Sequence, residues 1–147
     1  NGEITMPLQP AFSAQNASSQ DNLAIDAWTT LTFATEIFDQ NSDYNTGTHT
    51  FTAPVTGKYL FSSSTQFNNL DADAVYWQIQ IKTSNREYPT LDSGNQYDAD
   101  PTNLGYTFSI IADLDASDTA YIRYYQQSGT AQADLRTESY FTGALLC

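Results

Sequence analysis

Residues 33–61 read FATEIFDQNSDYNTGTHTFTAPVTGKYLF, and this stretch decides the fold. Aromatic side chains recur along it, and polar or glycine residues typical of turns fill the gaps between them. Tyr44 and Phe51 flank an Asn-Thr-Gly sequence, which predicts a turn that folds the chain back on itself. Pro54 has no N–H group to donate, so it interrupts strand pairing. We therefore predict two short strands, a corner at Pro54 and a long strand that begins at Gly57.

The predicted long strand has one strongly aromatic face. Side chains alternate between the two faces of a strand, so every second residue lies on the same face. The shared face carries Tyr59, Phe61, Ser63, Thr65 and Phe67. We expect this face to enter the core.

Further segments show the alternation of apolar and polar residues that is typical of strands. The clearest one places Val75, Trp77, Ile79 and Ile81 on one face and Tyr76, Gln78, Gln80 and Lys82 on the other. Residues 106–114 and 119–126 alternate in the same way, and no segment shows the period of a helix. About eight to ten short strands separated by turn signals predict an antiparallel β-sandwich. This pattern leaves an immunoglobulin-like topology and a jelly roll both open.

The spacing of several residues in this stretch resembles the signature of the globular C1q-like domain, in the C1q and tumour-necrosis-factor superfamily. These residues are Phe33, Asp39, Tyr44, Phe51, Gly57, Tyr59 and Phe61. YFTGALL at residues 140–146 and PAFSA at residues 10–14 are similar to the family's last and first strands. Ser63 and Ser117 depart from the pattern, since the family has an aromatic residue and a glycine there. The resemblance implies an all-β, homotrimeric jelly-roll sandwich over residues 10–147, with residues 1–9 as a lead-in from a stalk or preceding segment.

The charge of the chain argues against two classes of partner. It has 17 acidic and 5 basic residues and a formal net charge of −12 at pH 7. Binding to a nucleic-acid backbone or an anionic membrane surface needs clustered Lys and Arg, so we expect neither. No apolar run approaches the length of a membrane span, so we expect no membrane insertion. Cys147 is the single cysteine, which excludes a disulfide within the chain, and Asn16 begins the glycosylation sequon Asn-Ala-Ser.

Several predicted strands carry apolar side chains on both faces, which favours self-association. A sheet with one solvated face would carry charged residues there. Leu60 instead lies opposite the aromatic face of its strand, and Ile111 lies opposite the core face of residues 106–114. The family resemblance implies a homotrimer that packs around a three-fold axis through one sheet. The residues expected at this interface are Leu60, Ser62, Ser64, Thr107, Ser109 and Ile111.

The chain offers few residues for catalysis, and we expect no enzyme activity and no required cofactor. It has one histidine and one cysteine, so we expect His49 in a solvated loop and Cys147 as a free terminal thiol. Calcium is the candidate cation, because it prefers oxygen ligands and some members of the family bind it. The candidate ligands are Asp92, Asp98 and Asp100 in one loop and Asp71 and Asp73 in another. Solvated acidic loops are the competing interpretation.

Exposed aromatic residues are the candidates for ligand recognition. Tyr88, Tyr97 and Tyr125, together with Asp92, are expected on ligand-binding loops, where tyrosine rings would stack on sugar rings or on a partner protein. Packing in the core or in an interface is the alternative for these tyrosines. Loops carry function on rigid scaffolds, so the preferred binding surface comprises residues 68–73, 92–103 and 128–139.

These observations together predict a non-enzymatic trimeric recognition head that is extracellular or on a virion surface. The disulfide-free chain, with TEIFDQN and TAPVTGKY, resembles C1q-like domains of phage and bacterial proteins. The leading hypothesis is a viral fibre tip or virion knob that contacts a host-surface protein or glycan. Two alternatives stay open: a structural trimerisation cap of a fibre, and a secreted lectin-like or signalling ligand.

Overall fold

The computed structural model describes Met6 and residues 8–147, which fold into two six-stranded antiparallel sheets. The predicted lead-in, residues 1–9, lies outside the described residues except for Met6, Leu8 and Gln9. The strands are β1 (Ala11–Gln15), β2 (Thr29–Thr30), β3 (Thr35–Asp39), β4 (Tyr44–Asn45), β5 (Thr50–Thr52), β6 (Gly57–Asn68), β7 (Tyr76–Thr83), β8 (Glu87–Asp92), β9 (Leu104–Leu114), β10 (Thr119–Gln127), β11 (Asp134–Leu135) and β12 (Tyr140–Leu145). The described residues form one helical element, the 3-10 turn Gly94–Gln96. No helix in this part of the chain is long and apolar enough to cross a membrane.

The two sheets have the connectivity of a jelly roll. Sheet 1 has the strand order β9-β6-β12-β1-β3, and β11 pairs with β6 beyond the end of β12. Sheet 2 has the order β4-β5-β10-β7-β8, and β2 pairs with β10 beyond the end of β5. The architecture confirms the predicted all-β jelly-roll sandwich and leaves no place for the immunoglobulin-like alternative.

The segment after β3 folds as its turn and strand signals predict. Tyr44 pairs with Phe51 across the β4–β5 hairpin, and the Asn45 side-chain oxygen accepts a hydrogen bond from the Gly47 N–H at 2.8 Å. The predicted core face of β6 is fully buried: Tyr59, Phe61, Ser63, Thr65 and Phe67. In β7, Trp77, Ile79 and Ile81 are also buried. Val75 precedes β7 and is exposed, so the prediction that it shares one face with these three residues is wrong.

Aromatic rings fill one end of the space between the sheets. Phe12 of β1 stacks on Tyr44 and Phe51, with ring centroids 4.7 and 5.1 Å apart. It also meets Phe141 of β12 edge-on at 5.0 Å. Gly143 makes room for these rings, because a Cβ atom there would lie 2.6 Å from a carbon of the Phe12 ring. The close packing of these rings therefore explains why a glycine occupies position 143 in β12.

Two of the predicted loops contain more structure than their polar composition indicates. Residues 128–139 include β11 and bury Ala133 and Leu135. Residues 92–103 include the 3-10 turn, where Gly94 is buried against the backbone of the loop before β7. Both segments therefore have a buried anchor rather than being wholly exposed.

The turn before β10 keeps the geometry expected for the family's glycine, although this chain has Ser117 at that position. The Asp118 N–H donates to the Asp115 carbonyl at 3.0 Å, and Ser117 has a φ of +77°. This φ is that of position i+2 in a type II turn, where glycine is the usual residue. The departure at Ser117 therefore keeps the turn type and places a serine in a left-handed conformation.

Candidate assembly and recognition surfaces

The outer face of sheet 1 contains the six residues predicted at a three-fold axis. In the β6–β9 ladder, Leu60 pairs with Ile111, Ser62 with Ser109, and Ser64 with Thr107. The Ser109 hydroxyl donates to the Ser62 hydroxyl at 2.9 Å, which links the two strands at their centre. One surface of a single chain therefore carries all six side chains.

This surface continues across β12 and β1 to Phe38 of β3. The residues that form it carry no charge, and Glu36 of β3 is exposed outside it. The further outward residues are Tyr140, Thr142 and Ala144 of β12, Ala11 and Ser13 of β1, and Phe38 of β3. Leu60, Phe38 and Ile111 are 38%, 50% and 61% exposed. The first charges, Lys58 and Asp113, form an ion pair at the end of the β6–β9 ladder. We call the six predicted residues and these six further outward residues, twelve in all, the assembly face. Exposed apolar patches of this kind mark sites where partners bind.

The three tyrosines predicted on ligand-binding loops lie in three different places. Tyr88 is in β8 and is half-buried at the edge of the core, and Tyr125 is in β10 on the outer face of sheet 2. Tyr97 follows the 3-10 turn, and its ring stacks on Trp77 with centroids 5.7 Å apart. The loop location is therefore wrong for Tyr88 and Tyr125, because both belong to strands, and Tyr97 packs inward.

Asp92, the last residue of β8, accepts hydrogen bonds from several elements. One carboxylate oxygen accepts from the Tyr97 and Tyr106 hydroxyls at 2.9 and 3.1 Å, and the other accepts from the Gln96 side chain at 2.7 Å. The Tyr106 hydroxyl itself accepts from the Trp77 indole N–H at 2.6 Å. Burial raises the pKa of Tyr106, so this phenol keeps the proton that it donates. Asp92 therefore ties β8, β9 and the 3-10 turn together.

The predicted calcium ligands Asp92, Asp98 and Asp100 are not brought together. The oxygens of Asp92 already accept from the groups named above, and Asp98 is exposed. Asp100 accepts from the Ala72 N–H at 2.9 Å and from the Gln132 side chain at 2.7 Å. Among the described residues no three acidic, histidine or cysteine side chains converge on one point. Calcium binding stays a prediction, and this set of ligands does not supply it within one chain.

Asp71, from the second predicted calcium loop, is buried and joins two loops. Its carboxylate accepts from the Asp73 N–H at 2.8 Å and from the Thr130 N–H. Gly129 has a φ of +83°, and a Cβ atom there would overlap the Asp71 carboxylate. These contacts therefore give Asp71 a structural role, since it joins the loop before β7 to the loop after β10.

His49 is half-buried rather than solvated as predicted. Its backbone has a φ of +56°, and its Nδ1 accepts a hydrogen bond from the Phe33 N–H at 3.3 Å. Burial lowers the pKa of the imidazole, because the protonated form would lose its hydration. Cys147 is an exposed free thiol, as the sequence indicates.

The asparagine of the sequon is part of the interior. Asn16 is buried, its amide donates to the Leu135 carbonyl at 3.3 Å, and its side-chain oxygen accepts from the Thr32 hydroxyl at 3.1 Å. A glycan on Asn16 is incompatible with these contacts.

Three aromatic side chains form a row across the outer face of sheet 2: Trp28, Tyr125 and Tyr76. We call this row the aromatic strip. The ring centroids of Trp28 and Tyr125 are 5.1 Å apart, and those of Tyr125 and Tyr76 are 6.0 Å apart. Only Tyr125 was a candidate from the sequence. The alternation that buries Leu31 also directs Trp28 outward, and this signal could have identified it.

The Arg123 guanidinium supports the strip from one side. It lies 3.8 Å from the Trp28 ring centroid, in a cation–π contact. Arg123 also donates to the Gln80 side-chain oxygen at 3.0 and 2.8 Å and pairs with Glu87 at 2.7 Å. Glu87 lies 3.5 Å from Lys82 as well. These contacts hold the guanidinium against the indole and compensate its charge.

Comparisons with known proteins agree with this architecture. The family model described as the C1q domain matches residues 11–146. No curated protein matches the sequence.

Several solved structures share the fold. The globular domain of zebrafish complement 1qA has a TM-score of 0.69 and 17% identity, over 95% of this chain and 98% of that chain. Murine APRIL has a TM-score of 0.67 and 11% identity, over 94% and 99% of the two chains. PRD1 vertex protein P5 has a TM-score of 0.59 and 11% identity, over 95% and 99%. The family match spans nearly the whole described sandwich, so this chain belongs to the C1q domain family.

Proposed function

We propose that the chain forms a homotrimer that acts as a recognition head, presented outside a cell or on a virion surface. Its binding partner in this proposal is a surface protein or a glycan. The observation that carries the proposal is the assembly face, an uncharged surface on a chain with a net charge of −12. The C1q domain family consists of non-enzymatic recognition and ligand modules, so membership identifies no enzyme here.

Electrostatics favours association through the assembly face. Each copy repels another, because like charges oppose close approach, and the repulsion is smallest where two uncharged surfaces meet. Burying Leu60, Phe38 and Ile111 against a neighbouring copy also removes apolar area from water, which contributes roughly 25 cal/mol for each Å². A contact between different surfaces of successive copies closes into a ring when the rotation allows it. Three copies are the number that the family resemblance implies.

The trimer leaves the other surfaces available for recognition. The outer face of sheet 2 and the loops at the ends of the sandwich lie away from the assembly face, so a trimer displays three copies of each. Several weak contacts on one trimer add up to a stronger attachment than one copy provides. The name of PRD1 vertex protein P5 locates that protein at a vertex, which supports a particle surface for this chain.

The proposal is tested by measuring attachment of the trimer to a target surface. Labelled trimer should bind the target surface saturably, and unlabelled trimer should compete. Removal of the domain from its parent assembly should abolish attachment and leave the assembly intact. A structural trimerisation cap gives the opposite pair of results: no attachment by the isolated trimer, and a parent assembly that fails to form without the domain.

A further inference from the structure

The aromatic strip presents ring faces and hydrogen-bonding groups side by side on a flat, open sheet. Trp28 is 40% exposed, and Tyr125 and Tyr76 are half-exposed. Gln78 of β7 pairs with Tyr125 of β10, so an amide lies directly beside the middle ring of the strip. The Gln78 oxygen accepts from the Gln80 amide at 2.9 Å, which orients the Gln78 N–H groups away from this bond.

The strip is fixed in position before any ligand arrives. The indole of Trp28 contacts both the Arg123 guanidinium and the Tyr125 ring. Arg123 is in turn held by Gln80 and Glu87. A surface whose side chains are already immobilised loses less conformational entropy on binding than a mobile one does. The linked contacts therefore distinguish the strip from scattered exposed aromatic residues.

The charges around the strip select an uncharged ligand. Arg123 and Lys82 both pair with Glu87, and Asp26 lies close enough to Tyr125 to influence its phenol. Two positive and two negative groups thus balance locally, while the whole chain is strongly acidic and repels anionic polymers. Aromatic ring faces carry the negative part of a quadrupole and attract weakly positive C–H groups. Sugar rings offer such C–H faces together with hydroxyl groups, and neutral sugars bring no charge.

We propose that the aromatic strip binds a neutral oligosaccharide, with sugar rings stacked on Trp28 and Tyr125 and hydroxyl groups bonded to Gln78 and Arg123. Tyr76 extends the platform to a further sugar unit. This inference rests on the proposed recognition function and names its ligand class and surface. A protein partner is the competing occupant, because Trp, Tyr and Arg are also common in protein interfaces, and the experiment below separates the two.

The experiment measures binding of the full chain to a panel of immobilised neutral oligosaccharides built from glucose, galactose, mannose or N-acetylglucosamine. Wild-type protein should bind at least one of them saturably. Trp28→Ala should weaken that binding about tenfold or more, because it removes a ring face and the anchor of the strip. Tyr76→Ala should weaken it less. Trp28→Phe retains a ring and should bind with intermediate affinity, which covers the case in which Trp28→Ala does not fold.

Tyr121→Ala is the matched control. Tyr121 lies in β10 beyond Arg123, pairs with Lys82 and belongs to the same strand as Tyr125, but it lies outside the strip. Its removal should leave the affinity unchanged.

Three results would overturn the proposal. The first is no binding to any neutral sugar on the panel, and the second is binding that Trp28→Ala leaves unchanged. The third is attachment to cells that protease treatment abolishes and glycan removal does not, which assigns the partner as a protein. In that third case the recognition function stands and the glycan site fails. If a well-formed trimer attached to no surface at all, both the recognition function and the glycan site would be overturned.

Discussion

At position 63 a serine occupies a fully buried site on the core face of β6. The Ser63 hydroxyl has no hydrogen-bond partner among the described residues. A buried polar group without a partner costs roughly 1–3 kcal/mol, because it loses its hydrogen bonds to water. The residue that departs from the family pattern therefore weakens this core.

Ser63→Ala should raise the free energy of unfolding by about 1 kcal/mol, since it removes an unpaired hydroxyl and little volume. Denaturant unfolding measures the change. Ser139→Ala is the control, because Ser139 is also fully buried but its hydroxyl accepts from the Gln66 N–H at 2.9 Å. That control should lose stability, and an equal loss in both variants would contradict the account.

His49 makes stability depend on pH. Burial lowers the pKa of the folded imidazole below its ordinary value of 6.5, so the folded state favours the neutral ring. The stabilisation is complete above pH 6.5 and is lost as the pH falls through the lower folded pKa. The melting temperature should therefore fall on acidification from neutral pH into this window.

His49→Asn should reduce that fall. Asparagine tolerates the left-handed backbone at this position, and its side-chain oxygen can take the place of Nδ1 as acceptor for the Phe33 N–H, without titrating. Thermal melts of both proteins at pH 7.5 and below 6.5 test this. Identical pH dependence in the two proteins would show that His49 does not contribute it.

At the scale of elements, the turn between β9 and β10 stores strain in Ser117. A left-handed φ costs an L-residue roughly 1–2 kcal/mol and costs glycine almost nothing. Ser117→Gly should therefore stabilise the protein by about 0.5–1 kcal/mol, after the larger unfolded-state entropy of glycine is allowed for. Ser117→Ala keeps the strain and should show no gain. A loss of stability in the glycine variant would contradict the assigned turn.

Alternation along the chain was enough to identify the long strands. Trp77, Ile79 and Ile81 are buried as predicted, because two-residue periodicity is a local property of each strand. The two-residue strand β11 was missed. Its place depends on pairing with the end of β6, which no local pattern encodes.

The candidate sites were harder to predict than the strands. Only the family resemblance brought β6 and β9 into register, and the structure places the six residues predicted on these strands on one surface. The aromatic strip joins residues from the segment before β2, from β7 and from β10, so it exists only after the sheet has formed. The sequence predicts Asp92 as a calcium ligand and a recognition residue, whereas its hydrogen bonds from Tyr97 and Tyr106 depend on packing that no local pattern encodes.

At the scale of the whole molecule, one charge at the centre of the assembly face should prevent association. Ser62→Glu places a carboxylate among uncharged residues, and burying it unpaired costs several kcal/mol. Gln78→Glu is the control, because it adds the same charge to a half-buried outward position on sheet 2 and keeps the acceptor for Gln80. We expect Ser62→Glu to be monomeric and Gln78→Glu to retain the wild-type assembly. Assembly in both variants would place the interface elsewhere.

The most direct measurement is the mass of the wild-type chain in solution by size-exclusion chromatography with light scattering, at neutral pH and over a range of concentrations. Association through the assembly face predicts a stable species with three times the 16.3 kDa mass of one chain. A species that stays at 16.3 kDa, with Leu60, Phe38 and Ile111 open to solvent, would contradict it.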